Sequence, residues 1–306
     1  MVDYDAVVVG AGPAGLTAAL YLARGKHRVL VVSEKIFDGP VGLLELIENY
    51  PGFPDGVSGG ELIDAMVTQA SNYDVEFETD RVSSVEKTED TFVTALDSGE
   101  KITSKILVAA SGSRHRKLNV PGESELTDHG VFNCAFCDGG KFIGKPVVVV
   151  GGGDAGITEA LYLSKLASHV YVLEFLPQLK ATAVLQDKVY EAENITVQCG
   201  VSVTEILGEG VVSGVRVKAG TGDSETIDAE GVLVDIGLLP NTSYLSELIS
   251  LEKSGHVSVN EQMATSIDGL FVVGDIRTSS PGQISSAVGD GAAAGIHAIR
   301  LLQQLE

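Results

Sequence analysis

The sequence contains few cysteines, and their number limits the kind of protein it encodes. Three cysteines are an odd count, in a chain with no export signal, so they do not indicate a disulfide framework. A zinc site needs about four ligands, and the six histidines show no ligand spacing near Cys134 or Cys137. We therefore expect no metal, and we expect Cys199, which lies in an apolar run, to be a packed strand residue.

Basic residues and long hydrophobic runs are also scarce. Lys and Arg number 21 against 42 Asp and Glu, which gives a net charge of −21. Nucleic acids and anionic membranes bind clustered Lys and Arg. No stretch approaches the ~18 apolar residues of a membrane span, and the N-terminus lacks the basic and apolar segments of a signal peptide. The sequence predicts a cytoplasmic protein that binds neither nucleic acid nor membrane.

The sequence does contain two copies of a dinucleotide-binding pattern. Its 306 residues, 44% of them apolar, are enough for two domains. In the first copy an apolar strand at 5–10 leads into a helix at 12–25 and a second strand at 28–33. The turn that would face a pyrophosphate contains Gly10, Gly12, Pro13, Ala14 and Gly15. Glu34, 19 residues past Gly15, is placed to accept hydrogen bonds from a ribose.

The second copy begins near the middle of the chain. A strand at 147–150, a helix at 154–166 and a strand at 169–173 repeat the order of the first copy. Glu174 ends the last strand, 18 residues past Gly156. The residues that would face the second nucleotide are Gly151, Gly153, Asp154, Ala155 and Gly156. One such motif is weak on its own, whereas two in strand, turn and helix context predict two nucleotide sites.

A third segment completes the predicted fold. A short strand at 269–275 ends in Gly274 and Asp275 and precedes a helix at 283–302. An aspartate at the carboxyl end of a strand can hold a ribityl or ribose hydroxyl. A corner where a strand packs tightly against a helix would have the same sequence pattern.

The predicted fold class is α/β, with two Rossmann-like, three-layer ββα domains, the second inserted in the first. We expect β-meanders at 77–108 and 195–235. Residues 1–113 plus 244–306 would form the first domain, and 114–243 the second, with errors of several residues at each boundary.

A vicinal cysteine pair lies between the two glycine motifs. Cys134 and Cys137 form a CxxC, which in a cytosolic protein near βαβ units is typical of a redox pair. If Cys134 begins a helix, its thiol pKa falls from ~8.5 toward ~7. Asp138 could move the proton of a leaving thiolate, or it could be a turn residue before two glycines. A flavin site, a nicotinamide site and a dithiol would together form a path for two electrons.

These motifs identify a resemblance that covers essentially the whole chain. The sequence is similar to low-molecular-weight thioredoxin reductases and, more closely, to the flavoprotein component of alkyl hydroperoxide reductase. The matching motifs are GAGPAG (10–15), ENY (48–50), NVPG (119–122), CAFCDG (134–139), GGGDAG (151–156), GLLPN (237–241) and GD (274–275). VLEF at 172–175 and VLQDK at 184–188 look like the peroxidase-reductase branch. That branch carries an extra N-terminal thioredoxin-like domain, which this sequence does not contain, so a separate partner is expected.

The resemblance implies a cofactor and a role for each motif. FAD would bind the first domain and a nicotinamide the second, and the inserted domain would rotate so that the flavin alternately meets the nicotinamide and the dithiol. The expected FAD residues beyond the first glycine turn are Glu34, Asn49, Gly112, Gly274, Asp275, Gln283 and Ile284, and Gly237 joins the cofactor-binding set. Cys137 would face the flavin, Cys134 would exchange with a partner disulfide, and Asp138 would be the acid–base group. Relatives are usually homodimers, which we carry over as an expectation.

The choice of nicotinamide follows from the residues after the second Rossmann strand. NADPH-dependent relatives usually carry His-Arg-Arg there, whereas this chain has Glu174, Phe175 and Leu176, with Lys180 further on. A carboxylate favours a free 2′-OH and repels a 2′-phosphate, and no guanidinium is present to bind that phosphate. NADH is therefore expected in preference to NADPH, unless the site binds neither nucleotide well.

Three positions depart from the family pattern. Pro40 stands where relatives carry Gln near the flavin, and proline removes an N–H donor. Phe136 lies inside the CxxC, where Thr or His is frequent, and either shields the dithiol or tunes the partner's fit. Gly282 replaces a basic residue that usually precedes the glutamine. These changes leave the expected chemistry in place and the partner open.

The leading hypothesis is a disulfide reductase that takes hydride from NADH and passes electrons through FAD and the dithiol to a thioredoxin-, glutaredoxin- or peroxiredoxin-type protein. A dithiol oxidase, passing electrons from a small dithiol to oxygen, is an alternative, as is a reductase fed by ferredoxin or reduced flavin. A non-catalytic redox sensor is the third hypothesis, which retention of both cysteines disfavours.

Overall fold

The chain forms two compact units. A computed structural model describes residues 2–37, 39–44, 46–47, 49–220 and 222–305, and describes only the backbone of Cys137. Unit 1 comprises Met1–Arg114 and Leu239–Glu306, and unit 2 comprises His115–Leu238. The chain therefore crosses between the units at 114/115 and 238/239, where the sequence analysis placed the crossings at 113/114 and 243/244.

Unit 1 is built on a seven-stranded sheet with helices α1 (Pro13–Arg24), α2 (Gly59–Ser71) and α6 (Ile284–Leu305). Its strands are β1 (Tyr4–Val9), β2 (Val29–Val32), β3 (Glu76–Glu78), β4 (Val82–Thr88), β5 (Thr91–Leu96), β6 (Lys101–Ala109) and β17 (Leu270–Val272). The strand order is β3-β2-β1-β6-β5-β4, with β17 also paired to β6. None of the helices formed by the described residues combines the length and hydropathy that a membrane crossing requires.

The central strands of unit 1 are parallel, and both of their faces are covered. Val7 of β1 pairs with Leu30 of β2 on one side and with Leu107 of β6 on the other, and these three side chains are buried on one face of the sheet. The next residue of each strand is buried on the opposite face, as expected for strands that lie between two layers of packed elements: Val8, Val31 and Val108. The carboxyl ends of β1, β6 and β17 consequently meet at one edge of the sheet.

Unit 2 repeats this plan on a smaller scale. Its helices are α3 (Ala135–Asp138), α4 (Asp154–Leu163) and α5 (Ala183–Glu191). Its strands are β8 (Val131–Phe132), β9 (Pro146–Val150), β10 (His169–Glu174), β11 (Ile195–Cys199), β12 (Val201–Gly208), β13 (Val212–Ala219), β14 (Ser224–Asp228) and β15 (Gly231–Val234). A parallel five-stranded sheet has the order β11-β10-β9-β15-β8, and an antiparallel sheet contains β12-β13-β14. The two remaining strands, β7 (Ser113–His115) and β16 (Leu238–Pro240), contain the crossings and pair with each other.

The predicted α/β class with Rossmann-type parallel sheets is confirmed, and the two predicted meanders are each more divided than expected. Within 77–108, β4, β5 and β6 are antiparallel, but β3 and β6 also pair in parallel with β2 and β1. Within 195–235, β11 and β15 join the parallel sheet and leave only β12 to β14 as a meander. β15 is buried throughout, which favours a central parallel position over a half-exposed hairpin.

Small residues let the helices of unit 1 approach each other closely. Gly291 of α6 faces α1, where an added Cβ would lie 2.2 Å from the carbonyl oxygen of Ala14 and 2.9 Å from Cβ of Thr17. Gly289, two residues earlier in the same helix, has no atom within 4 Å of its Cβ position. Contact with α1 therefore requires glycine at 291 and not at 289.

Gly291→Ala is expected to lower the free energy of unfolding by about 1–3 kcal/mol, because the new methyl overlaps a backbone atom that cannot rotate away. Gly289→Ala is the matched control and should be neutral or stabilising by about 0.5–1 kcal/mol, since alanine favours helix. Urea unfolding of both variants checks the pair, and equal effects would contradict the packing assigned to α1 and α6.

Candidate functional site

The first glycine motif leaves an open, uncapped helix start in unit 1. Gly10 has φ +109°, and a Cβ at Gly15 would lie 2.0 Å from the carbonyl oxygen of Gly10. Gly12 precedes α1 without a side-chain cap and has open space at its Cβ position. Pro13 and Ala14 form the first turn. Unpaired N–H groups facing open space at the start of a 12-residue helix fit the pyrophosphate of a dinucleotide.

Three of the predicted FAD residues approach each other at the same edge. Gly112 follows β6, and Gly274 and Asp275 follow β17, which is paired to β6. The Ser113 hydroxyl donates to Oδ2 of Asp275 at 3.2 Å. Gly112 and Gly274 both have positive φ, +62° and +72°, so the chain turns sharply after each strand.

The other predicted FAD residues lie in loops and at a helix start. Nδ2 of Asn49 donates to Oε1 of Gln283 at 3.0 Å, although the two residues are far apart in sequence. Ile284 begins α6 and is half-buried. Glu34 lies just after β2 with its side chain 64% exposed and 3.7 Å from Arg81. Its carboxylate is thus accessible to a ribose.

Four residues near the predicted FAD positions are either outside the described residues or exposed. Glu48, part of the ENY motif, and Asp38, which precedes Gly39 and Pro40, are outside the described residues. Pro40 and Gly282 are both exposed. Gly282 has φ +64° and open space at its Cβ position.

A buried ion pair that the sequence analysis did not identify holds the Gly274 turn. Nε and Nη2 of Arg277 donate to Oδ2 and Oδ1 of Asp290 at 2.6 and 3.0 Å. The same Oδ2 accepts the N–H of Gly274 at 3.1 Å. The two side chains are only 14% and 7% exposed. The aspartate between Gly289 and Gly291 was the available signal, since a charge in a small-residue helix face needs a buried partner.

The second glycine motif has the same local geometry in unit 2. Gly151 has φ +130°, and a Cβ there would lie 1.8 Å from the carbonyl oxygen of Asp235. A Cβ at Gly156 would lie 2.3 Å from the carbonyl oxygen of Gly151. Gly153 precedes α4 without a side-chain cap and faces open space. Unit 2 therefore offers a second helix start suited to a pyrophosphate.

Glu174 is held against this glycine loop rather than exposed. Its Oε2 accepts the N–H of Gly152 at 2.7 Å and its Oε1 accepts the N–H of Leu176 at 2.8 Å. The residue is 8% exposed, whereas the next side chain, Phe175, is 69% exposed. The carboxylate is at the end of β10 beside the helix start, where an adenosine ribose would lie.

The other predicted residues of the second site surround the same edge. Oδ1 of Asp154, in the first turn of α4, accepts the N–H of Thr182 at 2.6 Å, and Ala155 is exposed. Gly237 has φ +95°, and its carbonyl accepts the N–H of Arg116 at 2.8 Å. The Asp154 carboxylate is thus bonded to a backbone N–H, whereas Ala155 and Gly237 are exposed to solvent.

The cysteine motif lies on the same edge of the unit 2 sheet. Cys134 follows β8 and directly precedes α3, and its carbonyl accepts the N–H of Asp138 at 3.1 Å. Cys134 is disulfide-bonded, while the side chain of Cys137 lies outside the described part of the chain. In the sheet, β8 is separated from β9 by β15 alone. Two strand spacings of ~4.8 Å place the segments that follow β8 and β9 about 10 Å apart.

Two side chains next to the cysteines are occupied by neighbours. The ring of Phe136 contacts that of Tyr162 on α4, with centroids 4.3 Å apart. Oδ1 of Asp138 accepts from Nζ of Lys141 at 2.5 Å, and this contact raises the pKa of Lys141. Phe136 therefore anchors the cysteine segment to α4.

A pair of acidic residues beneath the cysteine segment was also not identified from the sequence. Oε2 of Glu159, on α4, accepts the N–H of Ala135 at 3.3 Å. Burial, and then the neighbouring charge of Asp235, raise the pKa of Glu159 to about 8. Burial also raises the pKa of Asp235, against the opposing effects of His115 and the N–H of Gly237. No sequence motif marks this pair, because Asp235 and Glu159 come from separate elements.

Cys199 is a free, half-buried thiol in β11, and burial raises its pKa. Within the residues that the structure describes, no three His, Cys, Asp or Glu side chains group as metal ligands.

Comparison with known proteins gives the geometry a family context. Residues 4–291 match the family described as pyridine nucleotide-disulphide oxidoreductase. The chain is 39% identical over 301 residues to a protein named NADH dehydrogenase from Bacillus subtilis (strain 168), covering 98% of this chain and 58% of that protein. It is 35% identical over 297 residues to a component of alkyl hydroperoxide reductase from Staphylococcus aureus (strain NCTC 8325 / PS 47), covering 96% of this chain. The chain spans 58% of the length of each of these relatives.

The solved structures that resemble the chain include thioredoxin reductases. The thioredoxin reductase of Lactococcus lactis superposes with a TM-score of 0.94 at 32% identity, covering 99% of this chain and all of that one.

Asp290→Asn is expected to lower the free energy of unfolding by about 3 kcal/mol or more, because it leaves the Arg277 guanidinium buried without its counter-charge. Lys145→Gln serves as the control, since it breaks an exposed ion pair with Glu230 and should change stability by less than about 1 kcal/mol. Chemical unfolding measures both, and a loss for Asp290→Asn no larger than that of the control would show that the buried pair does not hold the turn.

Proposed function

The chain belongs to the pyridine nucleotide-disulphide oxidoreductase family. On that basis we propose that it is a thioredoxin-reductase-like enzyme. It passes electrons from NADH through FAD and the Cys134–Cys137 pair to a disulfide of another protein.

One observation carries this proposal. In unit 2 the segment after β8, which bears Cys134, and the glycine loop after β9 leave the same edge of a single parallel sheet. Ligands of open α/β sheets bind at that edge. A nucleotide site and the cysteine pair would therefore belong to the same unit, so that both could exchange electrons with a flavin held by the other unit.

The residues of unit 1 fit FAD. The start of α1 would receive its pyrophosphate, Glu34 its ribose, and Asp275 a ribityl or ribose hydroxyl. The contact between Asn49 and Gln283 would border the same cofactor. When bound, FAD supplies a two-electron relay between a hydride donor and a disulfide. The protein's part is to hold the turn at Gly274, which Asp290 fixes through the buried pair with Arg277.

The residues of unit 2 favour NADH over NADPH. The Glu174 carboxylate, fixed by the N–H groups of Gly152 and Leu176, presents negative charge where a 2′-phosphate would lie. Phe175, exposed beside it, offers an apolar surface and no charge. A free 2′-OH can donate to this carboxylate, whereas a 2′-phosphate is repelled by it.

Thiol–disulfide exchange with the partner protein is the proposed last step of the reaction. The Cys134 thiolate attacks the partner's disulfide, a mixed disulfide forms, and the first partner thiolate leaves. The Cys137 thiolate then displaces the second partner thiolate, so Cys134 and Cys137 end as a disulfide and the partner as a dithiol. Asp138, which pairs with Lys141 in this structure, would take up a proton from water when that pair opens and pass it to the leaving thiolate.

The proposed partner is a thioredoxin-fold or peroxiredoxin-type protein. Support comes from the names of the relatives, which are a thioredoxin reductase and a component of alkyl hydroperoxide reductase. A homodimer remains a prediction, which sedimentation of the purified protein would check.

An anaerobic absorbance titration tests the donor half of the proposal. NADH added in small excess is expected to bleach a bound flavin, and NADPH to do so only at higher concentration. A bound flavin that neither nucleotide reduces would contradict the proposal and point to an oxidase or another electron donor. Rapid oxygen consumption without any disulfide substrate would also contradict it.

Cys134→Ser is expected to abolish reduction of a thioredoxin disulfide while leaving reduction of flavin by NADH intact, because serine cannot form the mixed disulfide. Cys199→Ser, at the half-buried thiol of β11, is the matched control and should retain turnover. Stopped-flow flavin bleaching and a coupled disulfide assay measure the two half-reactions separately. Undiminished partner reduction by Cys134→Ser would remove this thiol from the path.

Nicotinamide preference should respond to charge at the end of β10. The double variant Glu174→Gln, Phe175→Arg removes the repulsive carboxylate and supplies a guanidinium at an exposed position. The ratio of kcat/KM for NADH to that for NADPH should fall by about tenfold or more, the effect of one charge-assisted hydrogen bond. Phe175→Leu keeps an apolar side chain there and should leave the ratio unchanged. A double variant with the wild-type ratio would mean that this edge does not face the ribose.

A further inference from the structure

A buried contact joins the nucleotide-binding helix of unit 2 to the peptide that follows Cys134. Oε2 of Glu159, on α4, accepts the N–H of Ala135 at 3.3 Å. Ala135 is fully buried and is the residue immediately after Cys134. Phe136 adds a second contact, with Tyr162 on the same helix. The cysteine segment is therefore held by α4 at two successive residues, one of them through an ionisable group.

The surroundings of Glu159 make its charge variable near neutral pH. Burial and the facing carboxylate of Asp235 raise the pKa of Glu159 to about 8. Asp235, at the end of β15, is itself half-buried, and His115 faces it. Glu159 is thus largely protonated at pH 7 and largely ionised at pH 9.

Other charged groups on the elements packed against α4 are accounted for. Asp138 on α3 is paired with Lys141, and the Glu174 carboxylate at the end of β10 is bonded to two backbone N–H groups. The remaining titratable residues on those elements are Asp187, Lys188, Tyr190 and Glu191 of α5, and Tyr171 and His169 of β10, where Nε2 of His169 contacts the hydroxyl of Thr196. Asp235 is the charge that acts on Glu159.

The two states of Glu159 have different effects on a neighbouring thiol. Glu159 accepts the N–H of the residue next to Cys134. A neutral carboxyl would accept this N–H only weakly, whereas an ionised carboxylate would engage it more strongly and add negative charge one residue away from Cys134, which would disfavour the thiolate. Groups coupled in this way titrate together rather than independently.

We propose that Glu159 is a positioning residue that acts through the Ala135 peptide to make the thiolate of Cys134 depend on the ionisation of Glu159. Ionisation of Glu159 lowers the fraction of Cys134 that is thiolate, and protonation raises it. The inference rests on the proposed function only in treating Cys134 as a redox thiol.

The test follows alkylation of a single thiol as a function of pH. The protein of residues 1–306, loaded with flavin and carrying Cys137→Ser and Cys199→Ser, is reduced, desalted and treated with iodoacetamide, and alkylation of Cys134 is quantified by mass spectrometry. Neither a nucleotide nor a protein partner is needed. The alkylation result is therefore independent of partner reduction. A protein that reduces no partner could still show the pH dependence proposed for Cys134, and a protein that lacks this pH dependence could still reduce a partner.

Glu159→Gln in that background keeps an oxygen that can accept from Ala135 but cannot ionise. The midpoint of the alkylation profile is expected to fall by about half a pH unit, which corresponds to about threefold more thiolate at the pH where Glu159 ionises in the parent, whereas the two profiles should coincide at lower pH, where Glu159 is neutral. Asp235→Asn should instead move the step that depends on Glu159 to lower pH, because it removes the like charge that opposes ionisation of Glu159. Asp228→Asn, an exposed acid on β14, changes the net charge equally and should leave the profile unchanged.

Glu159→Ala separates a charge effect from a structural one. If Glu159→Gln matches the parent profile while Glu159→Ala alters it, the residue is only a backbone acceptor and the proposal is wrong. If Asp228→Asn shifts the alkylation profile as much as Glu159→Gln does, the shift reflects net charge alone. That outcome would also show that the proposal is wrong.

Discussion

A helix that starts within a few residues of its strand must approach the backbone of that strand more closely than a side chain allows. Both units depend on this close approach. A Cβ at Gly15 or Gly156 would lie 2.0 or 2.3 Å from the carbonyl oxygen of the first glycine of its motif. Because neither glycine has a Cβ, the first turns of α1 and α4 can lie at the sheet edge with their N–H groups outward. The loop that holds Glu174 lies beside the second of these helix starts.

The two units use the same plan with different acidic residues. Glu34 extends into solvent near Arg81, whereas Glu174 is buried and bonded to the glycine loop that it faces. A carboxylate fixed by two backbone N–H groups keeps its place whether or not a nucleotide is bound. Under the proposed function, discrimination between nucleotides at the second site would be built into the loop, whereas the exposed carboxylate at the first site would be ordered by its ligand.

Residues with local signatures were predictable from the sequence, and residues defined by distant contacts were not. The glycine turns, the acids that end β2 and β10 and the CxxC follow from spacing alone, because strand, turn and helix impose a fixed register. Arg277 with Asp290, and Glu159 with Asp235, come together only when separate elements pack. The same limit explains β3 and β15, whose parallel neighbours are contributed by distant segments and which were therefore predicted as parts of meanders.

The pairing of β7 with β16 has a consequence for how such a chain can change. Residues 115–238 form one uninterrupted segment whose two ends lie in neighbouring strands, about 5 Å apart at the spacing of paired strands. Such a segment can be exchanged for its counterpart from a relative by two junctions, without rebuilding the sheet of unit 1. Under the proposed function, donor preference and the cysteine pair would be inherited together in that exchange, while the proposed flavin site stayed with its host.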